Sequence, residues 1–136
     1  MDPIIISVFN DGVMEMAHNH LKSLVNAGVK NYCAYTIGKK SYEFLKNKGF
    51  NIELINSDNY TTGAFSYTEE AFSNFSYLRY TIILKLLESH RLVWYLDVDT
   101  VLLKNIDTIK LPENLDAAFQ NDIFGGVCTG CMYLRA

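Results

Sequence analysis

Two aspartates one residue apart, Asp97 and Asp99, stand at the end of the run Leu92-Val93-Trp94-Tyr95-Leu96. A short run rich in aromatic and β-branched residues reads as a buried strand. Ionised carboxylates are costly to bury without a partner, so a pair at a strand exit needs a reason beyond packing. Three chemistries fit. The acids can be solvated groups that merely end the strand. They can be hard oxygen ligands, close enough together to serve Mg2+ or Mn2+. Or Asp97 can be a nucleophile and Asp99 its acid/base.

A second chemical signal lies upstream. Phe75, Ile82 and Leu86 recur at helical spacing, and Arg79 falls on the same stripe. A permanently charged guanidinium on a core-facing stripe needs an anion. A buried carboxylate such as Asp97 would serve, and so would the phosphate of a ligand. Spacing alone does not choose between them.

The elements that must position these groups follow in order. Pro3 to Phe9 reads as a buried strand, with Asn10-Asp11-Gly12 as its turn. Met14, Ala17, Leu21, Leu24 and Val25 mark a helix that Gly28 should stop. Asn31 to Ile37 is a second strand, Ser41 to Lys48 a second helix closed by Gly49, and Asn51 to Ile55 a third strand. Ser57 to Ser73 is polar and aromatic, and a loop of that length is usually functional or mobile. A helix from Phe75 to His90 then leads into the strand that ends at Asp97. Ala117 to Gln120 and Met132 to Arg135 complete the strands, with Gly125-Gly126 in the loop between them. Alternating strands and helices predict an α/β fold with a mostly parallel sheet. If strands one to three run outward to one side, the fourth sits on the other side of strand one. The switch in direction then lies between strands one and four, where open α/β sheets bind ligands beyond their carboxyl ends. Phe9, Asn10 and Asp11 should meet Asp97 and Asp99 there.

Bulk properties exclude several classes. The net charge is −3 and no Lys/Arg-rich run occurs, so nucleic acid is not an expected partner. No apolar run approaches the ~20 residues of a membrane span, and no signal peptide is visible. Three cysteines, an odd number, suit a reducing compartment, and with no anchor or signal visible a cytoplasmic location is the default expectation. Cys128-x-x-Cys131 opens a strand rather than a helix, and only Cys33 remains as a further cysteine toward the roughly four ligands that zinc needs. His18 and His20 lie two apart on a helix and diverge, which makes them poor co-ligands. Asn59 and Asn74 begin Asn-x-Ser/Thr sequons that read as accidental without a secretory signal. The chain stops at Met132-Tyr133-Leu134-Arg135-Ala136, within a strand pattern, so an incomplete domain is expected.

Tyr95-Leu96-Asp97-Val98-Asp99-Thr100-Val101-Leu102 resembles the Asp-x-Asp segment of GT-A-fold glycosyltransferases, closest to the nucleotide-diphospho-sugar transferase family and more distantly to glycogenin-like enzymes of family 8. Three further segments agree in order. Asn10-Asp11-Gly12 before Asn19 and Leu21-Lys22-Ser23-Leu24 resembles the family's first strand–helix unit. Arg79 matches a basic residue near the nucleotide sugar. Phe119-Gln120-Asn121-Asp122, then Thr129-Gly130-x-Met132-Tyr133-Leu134-Arg135, resembles its donor-side strands.

The resemblance implies a Rossmann-like GT-A donor-binding domain over residues 1–136, C-terminally incomplete and lacking its acceptor half. It implies transfer of a sugar from a nucleoside-diphosphate-sugar donor, UDP rather than GDP, to a glycan, protein or lipid acceptor, with Mn2+ or Mg2+ as cofactor. Asp99 would hold the cation, and Asp97 the cation or the donor ribose. Phe9 and Asn10 would line the nucleotide pocket, and Arg79 would add positive charge near the phosphates. Asn121, Asp122, Thr129 and Gly130 would face the donor sugar. Cys128 stands where the family usually has Asn, and no His follows His90 to supply a further metal ligand.

Two alternatives remain. One is a degenerate domain that binds a nucleotide sugar without turnover. The other is a haloacid-dehalogenase-like phosphatase. That motif normally ends the first strand of its domain, whereas three strands precede it here, and too little chain follows Asp99 for the phosphatase's downstream motifs.

Overall fold

The computed structural model describes residues 3–56 and 70–136. Among the described residues, six strands form one sheet in the order β3-β2-β1-β4-β6-β5. They are β1 (Ile4–Phe9), β2 (Tyr32–Thr36), β3 (Ile52–Leu54), β4 (Leu92–Leu96), β5 (Ala117–Asn121) and β6 (Val127–Arg135). The pairings of β3 with β2, β2 with β1, and β1 with β4 are parallel. β6 runs antiparallel to both β4 and β5. The mostly parallel α/β sheet expected from the sequence is therefore present, with strands one to three on one side of the switch point and the fourth on the other.

The helices are α1 (Met14–Asn26), α2 (Lys39–Asn47) and α3 (Glu70–Leu87). All six residues of β1 are buried, as befits a strand covered on both faces. Side chains alternate across a strand. Ile5 and Phe9 therefore pack with Ala17, Leu21, Leu24 and Leu45 of α1 and α2, together with Trp94 and Leu96. Ile4, Ile6 and Val8 pack on the other face with Leu78 and Ile83 of α3, together with Val93 and Tyr95. Gly28 ends α1 with φ +80°. Its N–H donates to the Val25 carbonyl at 3.0 Å and that of Val29 to Leu24 at 3.0 Å, the paired bonds that close a helix at a left-handed glycine.

Several boundaries differ from the expectation. α3 begins at Glu70 rather than Phe75 and ends at Leu87 rather than His90, so residues 70–73 are helical instead of looped. Its most buried side chains are Leu78, Arg79 and Ile83, whereas Phe75, Ile82 and Leu86 pack at the margin of the core. α3 carries apolar residues on every side, with Tyr77 and Leu84 in solvent, so periodicity locates its buried stripe poorly. β6 begins at Val127 rather than Met132 because Val127 and Cys128 pair with β5 and Cys131 with β4. The rest of the long stretch, residues 57–69, which includes Asn59, lies outside the described residues; Asn74 stands on α3. Among the described residues, no helix is long and apolar enough to cross a membrane.

Candidate active site

β1 and β4 are parallel neighbours, so their carboxyl ends share one end of the sheet. A cleft of about 350 Å³ opens there. Its lining includes Phe9 and Asn10 from the exit of β1, Asp97 and Asp99 from the exit of β4, and Phe72 and Phe75 from α3. The crevice expected from strand order alone thus exists and holds four of the candidate residues.

Asp11 does not join them. Its carboxylate accepts the Ser41 N–H at 2.7 Å in the first turn of α2, where a carboxylate complements the helix's free amides. Gly38 leaves the room, because a Cβ there would overlap the Asp11 carboxyl group. Asn10 also serves locally, its Oδ1 accepting the Gly12 N–H at 3.0 Å at the start of a single 3-10 turn.

Asp97 is held from several sides. Alternation along β4 puts Tyr95 and Asp97 on the α3 face, and the Tyr95 hydroxyl donates to Asp97 Oδ1 at 2.6 Å. Arg79 Nη1 lies 3.6 Å from the same oxygen. The guanidinium sits over the rings of Tyr80 and Tyr95, at 4.8 and 4.9 Å from their centres. Its Nη2 donates to Tyr80 Oη at 3.0 Å and to Thr129 Oγ1 at 3.1 Å. The carboxylate partner open to Arg79 on spacing is present in Asp97. Burial raises the Asp97 carboxyl above its usual range, and the Tyr95 hydrogen bond and Arg79 charge only partly oppose this. Tyr95 is likewise raised well above its ordinary value, chiefly by burial.

β6 supplies the floor. The Asp97 N–H donates to the Gly130 carbonyl at 2.8 Å. A Cβ on Gly130 would lie 2.8 Å from Asp97 Oδ2, so glycine is what lets the carboxyl group rest against this strand. The register between β5 and β6 jumps here, with Phe119 opposite Met132 but Gln120 opposite Cys128. Thr129, Gly130 and Cys131 fall in this irregularity, beside Leu96 and Asp97 at the end of β4, and such bulges are common next to sites. Gly130→Ala should therefore push the Asp97 carboxylate aside and disturb its contacts with Tyr95 and Arg79. Nucleotide titrations of the variant, with a urea melt beside them, should show weakened binding together with a loss of stability no larger than that of Arg79→Met.

Asn121 and Asp122 are placed apart from this group. Both are exposed at the far end of β5, do not line the cleft, and Asp122 Oδ1 accepts the Ile123 N–H at 2.7 Å. Sequence reasoning missed Tyr95 as the partner of Asp97. Tyr95 was legible, because it stands two residues before Asp97 on the same strand face. His20 was assigned no role, yet it shares the buried stripe Ala17, Leu21, Leu24 and is itself fully buried.

The donor set fits a hard divalent cation shared with a ligand. Two carboxylates are few for an all-protein cage, and among the described residues no group of three or more His, Cys, Asp or Glu side chains could hold a metal ion. Mg2+ and similar ions are commonly held by one or two carboxylates plus substrate phosphates, and Asp99, exposed at the cleft edge, leaves room for that.

Comparison with known proteins gives concordant results. The sequence profile of nucleotide-diphospho-sugar transferases matches residues 27–136. No curated protein matches the chain. Among solved structures, the galactosyltransferase LgtC in complex with donor and acceptor sugar analogues superposes with a TM-score of 0.64 at 17% identity, covering 97% of this chain. An active-site mutant of LgtC superposes with a TM-score of 0.63 at 16% identity. The chain spans 57% of the length of each.

Proposed function

We infer the function of this chain from the family to which it belongs, the nucleotide-diphospho-sugar transferases. It binds a nucleoside-diphosphate-sugar donor, UDP before GDP, and contributes to transfer of the sugar to a glycan, protein or lipid acceptor. The bond from the anomeric carbon to the diphosphate breaks, the nucleoside diphosphate leaves with the bonding electrons, and the acceptor oxygen bonds the anomeric carbon as its hydroxyl proton passes to the leaving diphosphate or to water. The observation that carries this reading is that Phe9, Asn10, Asp97 and Asp99 line one and the same cleft at the sheet's switch point.

Asp99 and Asp97 would hold Mn2+ or Mg2+. When bound, such a cation offsets the charge of the diphosphate leaving group. The protein's own groups do the rest. Phe9 and Asn10 line the nucleotide end of the cleft. Arg79 holds the Asp97 carboxylate in place and adds positive charge behind it. Thr129 and Gly130 of β6, which contact Arg79 and Asp97, would face the donor sugar, and Asn121 and Asp122 would reach it only if the donor extends beyond the cleft. The odd number of cysteines supports a reducing, cytoplasmic setting.

The test is thermal unfolding with UDP and with GDP, each with and without Mn2+, followed by incubation with UDP-hexoses and acceptor sugars. A shift that needs both UDP and Mn2+ supports the donor site, and sugar transfer supports the full reaction. Binding without transfer would favour a donor-binding unit, a reading also consistent with a chain that spans 57% of its solved relatives. A folded protein that responds to neither nucleotide sinks the proposal.

A further inference from the structure

We propose that His20 of α1, aided by Ser23 one turn on, is the clamp that positions the Asp97–Thr100 turn so that Asp99 faces the cleft. This rests on the donor-site reading above and assigns the turn a support that the Asp-x-Asp motif does not itself contain.

The geometry is a continuous chain of hydrogen bonds. The His20 ring is fully buried between α1 and β1. Its Nδ1 lies 2.9 Å from the Thr100 carbonyl, which can only accept, so Nδ1 carries the proton. Nε2 then accepts from the Ser7 hydroxyl at 2.7 Å. Ser7 belongs to the α1-facing side of β1, with Ile5 and Phe9. Burial lowers the His20 pKa, which favours this neutral tautomer. Thr100 closes the turn, its N–H and hydroxyl both meeting the Asp97 carbonyl, at 3.2 and 2.7 Å. The next support is Ser23, whose Oγ accepts the Leu102 N–H at 2.9 Å and donates to the His20 carbonyl at 2.7 Å.

Asp97 is anchored on the other face of the sheet by Tyr95, Arg79 and β6. Asp99 stands in the middle of the turn, exposed, and owes its direction to what fixes Thr100. Groups that orient metal ligands without touching the metal commonly matter about 10- to 100-fold in affinity.

Two conservative variants separate positioning from bulk stability. His20→Asn keeps an N–H where Nδ1 stands, toward Thr100, and loses the Ser7 bond. His20→Gln does the reverse. Each loses one buried hydrogen bond, so urea melts should show similar destabilisation. In the unliganded protein, amide exchange by NMR should be about 10-fold faster at Thr100 in His20→Gln, and near normal in His20→Asn. UDP affinity measured with Mn2+ should fall at least about 10-fold in His20→Gln but not in His20→Asn, with affinity in chelator unchanged in both. Ser23→Ala, at a site less buried than His20, should speed exchange at Leu102 and weaken only the Mn2+-dependent binding, which keeps the clamp testable should His20→Gln not fold. Equal effects of the two His20 variants on exchange, or none, overturn the clamp whatever the protein binds. Faster exchange with unchanged Mn2+-dependent affinity overturns its link to Asp99. A wild-type chain that binds no UDP overturns the donor reading instead, and the exchange data still decide the positioning claim.

Discussion

Replacing Asp99 by Asn is expected to abolish the Mn2+-dependent stabilisation by UDP while leaving the unliganded protein as stable as before. Asp99 is exposed at the rim of the cleft, and substitutions at such positions usually change stability by less than about 0.5 kcal/mol. A ligand at about 100 times its dissociation constant adds about 2.7 kcal/mol. For a domain of this size that is an upward shift on the order of 10 °C. Asn keeps the shape and one oxygen of the side chain but removes the charge that holds a hard cation. Thermal scans of wild type and variant, with UDP alone and with UDP plus Mn2+, read this directly. If the variant keeps most of the metal-dependent shift, Asp99 is not a metal ligand and another acidic site must be sought.

Arg79→Met is expected to damage both stability and binding, and Arg79→Lys should rescue neither fully. Arg79 is 10% exposed at its side chain and lies between two tyrosine rings with Asp97 in front of it. Removing one member of a fully buried ion pair costs roughly 3–5 kcal/mol. Here the Asp97 carboxylate is 40% exposed and Met replaces much of the lost packing. The cost should therefore be smaller, about 1–3 kcal/mol. The effect on Asp97 follows from sign. Burial already raises its pKa and Arg79 opposes that rise, so removing Arg79 raises it further. A carboxyl group that is more often protonated binds cations less well. Mn2+-dependent UDP binding should fall, and fall more steeply as pH is lowered. Lys has a single ammonium and cannot stack flat while bonding both Tyr80 and Thr129. Urea denaturation and nucleotide titrations across pH would measure both parts. A fully stable Arg79→Met protein with normal binding at every pH would show that the guanidinium supports neither.

The remaining boundary shifts have physical causes in particular residues. α3 differs from the expectation in its start and its buried stripe because Phe72, Phe75, Leu78, Ile82, Ile83 and Leu86 leave no clean polar face, so the sheet it covers chooses which of them are buried. β6 was read too short because Cys128-Thr129-Gly130 carries no strand periodicity, and a bulge breaks the alternation that a strand search relies on. Asp11 read as a site residue because it follows a strand exit, yet the free amides of α2 compete for it and win.

The sequence by itself determined the strand–helix alternation, the buried central strands, the switch point between β1 and β4, and the two acids at it. These are set by hydrophobic period and chain order, which are local properties. Only the tertiary structure decided which partners those acids meet. Arg79 chose Asp97, Gly130 made room for it, and His20 reached across 80 residues of sequence to the turn that bears Asp99. Such pairings depend on where separate elements are brought together by the packing of the whole sheet. A buried polar group takes whichever partner that packing brings within about 3 Å, and no spacing along the chain encodes the choice.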